Sequence, residues 1–106
     1  MDDKLIEFEQ LKAKLEKILI YSKDNALKLE MIFYDFTDAV NDLKETDINL
    51  YGYVGYAVVE VEPKVEIISE IKSSLFLKKI HYTETVNYLL LVINRLLSAN
   101  IFPTTS

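Results

Sequence analysis

Apolar residues return at helical spacing along most of this chain. From about Asp3 to Tyr21, Phe8, Leu11, Leu15 and Ile18 recur at steps of three, four and three, Leu5 and Leu19 extend the stripe, and Lys and Glu fill the other positions. That spacing predicts an amphipathic helix. Ser22-Lys23-Asp24-Asn25 reads as a turn in which Ser22, Asp24 or Asn25 can cap the next helix. The second helix is predicted from about Ala26 to Lys44, where Ala26, Leu29, Phe33, Phe36, Val40 and Leu43 alternate by three and four. A heptad stripe of this kind favours shallow, left-handed packing. The short turn makes these two helices an antiparallel hairpin.

The pattern weakens between Glu45 and Glu62. Thr46-Asp47 interrupts it, both glycines of the chain (Gly52 and Gly55) fall here, and Tyr51, Tyr53 and Tyr56 surround them. Ala57-Val58-Val59-Glu60-Val61 is rich in β-branched residues and suits a strand. The expectation is a long ordered loop or irregular helix start over residues 50–62, with a short β segment as the alternative. Pro63 is then expected at the first turn of a third helix, where its missing N–H costs nothing. That helix is expected to reach about Lys79, with Val65, Ile68, Ile71, Leu75, Phe76 and Ile80 as its stripe. A fourth helix is expected from Thr83, as N-cap, to about Ala99. Glu84 would face the positive end of its dipole. Val86, Leu89, Leu90, Ile93, Leu96 and Leu97 form its core face, leaving Leu91 and Val92 beside it. Asn100 and Pro103 are expected to end it. The fold class is all-α: one antiparallel four-helix bundle over residues 1–106. Its core is expected to contain Leu11, Leu15, Phe33, Phe36, Ile68, Ile71, Leu89, Ile93 and Leu96.

Composition narrows the function classes. A chain of 106 residues suits a single core and needs no disulfide or metal staple. It contains no cysteine, which excludes a thiolate metal site and a cysteine nucleophile. Met1-Asp2-Asp3-Lys4 is acidic where a signal peptide would be basic, and the longest apolar run, Tyr88 to Ile93, is far shorter than a membrane span. A cytoplasmic location is expected, including the inner membrane face as a peripheral site. The net charge is −5, with Lys and Glu interleaved. The richest basic patch, Lys72, Lys78, Lys79 and His81, is small, so no nucleic-acid partner is expected.

Candidate chemistry is sparse. His81 is the sole histidine, and Lys78 stands where a bundle metal site of the Glu-x-x-His type would have Glu. Asp35, Asp38 and Asp42 share one face of the second helix, away from the Phe33/Phe36/Val40 stripe. A solvated face is therefore expected rather than acid–base chemistry, which needs burial. Two glycines cannot build a phosphate loop. No catalytic residue, metal or cofactor is expected. Tyr51, Tyr53, Tyr56, Tyr82 and Tyr88 suit bundle ends and interfaces equally.

The run Lys79-Ile80-His81-Tyr82-Thr83-Glu84, followed by Val92-Ile93-Asn94 in the last helix and preceded by Pro63, resembles the immunity proteins for pediocin-like (class IIa) bacteriocins. The resemblance covers roughly Pro63 to Ala99, with the run at the junction of helices three and four. It implies a non-enzymatic cytoplasmic bundle that protects a bacteriocin producer. Protection would come from binding the membrane receptor, the mannose phosphotransferase permease, once bacteriocin has engaged it. The alternative is a small helical interaction or regulatory module, viral or phage encoded, acting as a homodimer through helix four. The expected partner surface comprises Lys78, Lys79, His81, Tyr82, Leu91, Val92, Arg95, Ile101 and Phe102, because helix four holds more apolar residues than one core face can hide.

Overall fold

The computed structural model describes residues 3–101, with side chains described from 5 to 98. The first stripe forms α1, Asp3–Glu16. This helix is shorter than its stripe: Lys17 and Ile18 continue only as tight turns onto the carbonyls of Lys14 and Leu15. Ile18 is nevertheless buried, so the core pattern outlasts the helix. Ser22 caps α2, Lys23–Thr46, accepting from the Asn25 N–H at 3.0 Å. The Asn25 side-chain amide returns across the turn to the Ile20 carbonyl at 2.8 Å. Two of the three expected capping residues thus work together.

The weak stretch is helical. α3 runs Ile48–Ser69 and takes in both glycines, the β-branched run and Pro63. Its buried side consists of Leu50, Val54, Ala57, Val61, Val65 and Ile68, spaced by four, three, four, four and three. That period crosses the glycines without a break, and burying it outweighs the local strand preference. No strand occurs among the described residues. Asp47 alone links α2 to α3: its N–H donates to the Leu43 carbonyl at 2.8 Å, and its carboxylate accepts from the Leu50 N–H at 3.2 Å. One residue thereby closes one helix and caps the next.

Pro63 sits inside α3, not at a helix start. Pro63 and Val59, whose carbonyl loses its i+4 donor, are both exposed, so water can reach the unpaired group. α3 ends at Ser69, ten residues before the expected Lys79, and α4 spans Leu75–Ile101. Ser74 caps α4 through the Leu77 N–H at 3.2 Å. Thr83 therefore lies within α4, and Glu84 is remote from its dipole end. Ile71 falls in the connecting turn at 95% exposure instead of in the core. α4 also passes Asn100; Pro103 lies outside the described residues.

The helices pack as an antiparallel ring: α1 on α2, α2 on α3, α3 on α4, and α4 back on α1. The bundle measures 49 × 23 × 18 Å. Eight of the nine expected core residues are buried; Ile71 is the exception. Phe8 meets Phe36 edge-on at 6.0 Å across α1 and α2.

Candidate partner-binding surface

The ring places the α1–α2 turn and the α3–α4 turn at one end of the bundle, and Asp47 at the other. Tyr82, on the second turn of α4, ties the two turns together. Its ring is fully buried, stands edge-on to Tyr21 at 5.4 Å, and its hydroxyl donates to the Ile18 carbonyl. Burial pushes the Tyr82 phenol up to about 12 from 10.0. Nearby, the Ser69 hydroxyl donates to the Glu30 carboxylate at 2.5 Å, joining the end of α3 to α2. Between these contacts lies a cleft of about 300 Å³ lined by Tyr21, Lys23, Leu27, Ile68 and Lys78 among others.

Around this cleft the end is unusually apolar. Ile71 is 95% exposed, Ile20 81%, Phe76 72% and Leu27 65%, and Leu19 and Leu75 are at least half exposed. These side chains come from both turns and from the first turns of α2 and α4, so they share one end without covering one another. Lysines stand among them. Residues 17–28 hold three lysines and one carboxylate, and residues 70–81 hold three lysines, one carboxylate and His81; Glu30 also lines the cleft. The trend reverses toward the opposite end, where residues 35–47 hold five carboxylates and one lysine. A second groove near the loop end, between α1 and α2, is lined by Ile18, Met31 and Ile32 with Lys14, Lys17, Lys28 and Asp35.

Of the nine residues expected to meet a partner, the seven whose side chains are described do not form one surface. Lys78 lines the cleft, half-buried, and Lys79 is exposed beside it. His81 is part-buried; its Nδ1 lies 3.4 Å from Glu84 Oε1 without forming an aligned hydrogen bond. Glu84 also faces Lys64 on α3 at 4.0 Å. Tyr82 is core, not surface, because its ring fills the gap beneath the two turns. Val92 is also core, at 1% exposure; α4 turns it inward with Leu89, Ile93 and Leu96, and only Leu91 remains outside. Leu91 and Arg95 are exposed but lie about 20 Å or more along α4 from Lys78. The Ile101 side chain and Phe102 lie outside the described residues.

The tyrosines divide by position. Tyr53 and Tyr56 are exposed on the outer face of α3. Tyr56 faces part-buried Tyr88 of α4; burial first, then Tyr56 and Glu60, hold the Tyr88 phenol above its usual range, while Arg95 opposes them. Asp35, Asp38 and Asp42 are exposed, and no acidic or histidine cluster among the described residues is arranged to hold a metal ion. No described helix is long and apolar enough to cross a membrane. Sequence patterning hides the apolar loop end, because Ile71, Leu75 and Phe76 continue the stripe of what looks like a single helix. Ser73-Ser74, a capping signal, is the available clue to a break there.

Comparison of the chain with protein-family models, curated proteins and solved structures gives no match.

Proposed function

We propose that this chain is a non-enzymatic binding module whose working surface is the end carrying the α1–α2 and α3–α4 turns. The observation that carries the reading is the gathering of Ile20, Leu27, Ile71 and Phe76, each at least 65% exposed, among lysines. Side chains of this size gain free energy only by being covered, and exposed apolar clusters mark contact sites. Lysine adds attraction for an anionic counterpart.

The more specific form of the reading is immunity to a pediocin-like bacteriocin. Its support is the resemblance across Pro63 to Ala99 and the four-helix architecture. Against that support, the resembling run lies inside α4 and not at a helix junction. On this reading the chain works in the cytoplasm, at the inner face of the membrane, on the bacteriocin-engaged mannose phosphotransferase permease. The test is expression in a sensitive strain challenged with a panel of pediocin-like peptides. Survival of cells carrying the intact chain, lost with Ile71→Ser plus Phe76→Ser while the helical circular dichroism is kept, is the expected result. Sensitivity to every peptide would overturn the immunity form.

One observation favours a second reading. Leu91 on α4 and Tyr53, Tyr56 and Val59 on α3 leave another apolar face outside the bundle. That face suits a helical regulatory module pairing with a second copy of itself. Sedimentation equilibrium showing a dimer that Leu91→Glu dissociates would select this reading.

A further inference from the structure

We propose that the loop end docks on an anionic lipid bilayer, with Ile20, Ile71 and Phe76 entering the interface and lysines meeting the headgroups. This names the partner of the surface proposed above and rests on that reading. Three features of the molecule carry it.

The first is shape. The two most exposed apolar side chains, Ile71 and Ile20, sit on the two turns, and Phe76 sits on the first turn of α4, at the tip of a rod 49 Å long. They protrude, whereas recognition of a partner helix or strand calls for a groove or a sheet edge. Protruding apolar tips flanked by lysine suit the boundary between headgroups and acyl chains. The second is charge. The tip is the locally basic part of a chain whose net charge is −5. Lysine stems can lie along the apolar tips while their ammonium groups reach outward to phosphates. A second copy is a poor occupant, because two such ends would set lysine against lysine. The third is distance. End-on docking holds the carboxylates of residues 35–47 back along the rod. Asp35, the first of them, is thirteen residues beyond Ser22, about 20 Å along the helix, which exceeds the Debye length of about 8 Å at physiological salt. The acidic half is thus screened from an anionic surface that attracts the tip.

The test is flotation of the full chain with vesicles of phosphatidylglycerol and phosphatidylcholine in equal parts, against phosphatidylcholine alone. Binding to the anionic vesicles is expected, falling steeply between about 0.1 and 1 M salt as the Debye length shrinks from about 10 to 3 Å. Ile71→Ser with Phe76→Ser should weaken it by about tenfold or more, and Lys72→Glu with Lys79→Glu by about tenfold. Val59→Ser, exposed on the flank of α3, should leave it unchanged. The chain has no tryptophan, so Phe76→Trp supplies a single reporter whose emission should shift to the blue on anionic vesicles. Absence of flotation by the intact chain would overturn the proposal. Flotation indifferent to Ile71 and Phe76, or an unshifted emission spectrum of the Phe76→Trp variant, would do so too. If vesicles are not bound yet the same two substitutions abolish bacteriocin protection, the loop end is the working surface and its partner is a protein. If vesicles are bound and protection is absent, the bilayer inference stands and the immunity form falls.

Discussion

Tyr82 shows how one side chain can be read as surface and prove to be structure. Tyrosine offers a large ring and a polar tip, which serve an interface or a core that supplies one acceptor. Here the Ile18 carbonyl, left without a helical partner by the early end of α1, is that acceptor. Tyr82→Phe keeps the ring and strands this carbonyl, so it should cost about 1–2 kcal/mol in urea unfolding. The phenol also links stability to pH. Burial favours its neutral form and raises it from 10.0 to about 12. Between those values the folded chain keeps a proton that the unfolded chain has released. The stabilisation is therefore complete below pH 10 and lost as pH rises toward 12. Phenolate absorbance should show Tyr82 ionising late, as Tyr88 does, and Tyr82→Phe should remove one late-ionising group. A titration unchanged by the substitution would show that Tyr82 is solvated. Thr85 is the counterpart: its hydroxyl is buried with no partner among the described residues.

At the scale of the element, α3 carries an unusual load for a helix: two glycines, a β-branched run and an internal proline. The glycines differ in what surrounds them. A Cβ on Gly52 would meet nothing within 4 Å, whereas on Gly55 it would lie 2.8 Å from the Tyr51 ring. Gly52→Ala should therefore stabilise the protein by about 1 kcal/mol, the helix-propensity difference. Gly55→Ala gains the same propensity but must displace a ring packed against the core, so its net effect should be near zero or unfavourable. Thermal melts of the two variants check the contrast; equal stabilisation would mean that Tyr51 moves freely. α4 presents the opposite case. Leu75 to Ile80 look like core in sequence, yet most of this first part of the helix is exposed because α4 begins where the bundle ends.

For the whole molecule, burial separates residues that support the fold from residues free to bind. Leu89 and Ile93 are fully buried at the centre of the ring. Truncating either to Ala should cost about 2–5 kcal/mol, through lost transfer energy and the cavity left behind. Ile71→Ala removes a side chain of the same class at 95% exposure and should change stability by less than about 0.5 kcal/mol. Chemical denaturation of the three variants gives the comparison directly. A large loss at Ile71 would show that the turn is packed, and would weaken the case for the loop end as a binding surface.

The all-helical class, the hairpin at Ser22 and most of the core are legible in the residues alone, because burying an apolar stripe needs only the helical period to be visible. The same period continues from Leu50 to Ile68, but glycine, β-branching and Pro63 are strong local signals and mask it. Where α3 ends and α4 begins depends on packing between elements. Apolar residues run from Val65 to Ile80 without a clear change of period, and only the length of the neighbouring helices determines which of them have anything to pack against. That is also why Tyr82 and Val92 turn inward, Ile71 and Phe76 turn outward, and the candidate surface forms at the end of the bundle rather than along α4.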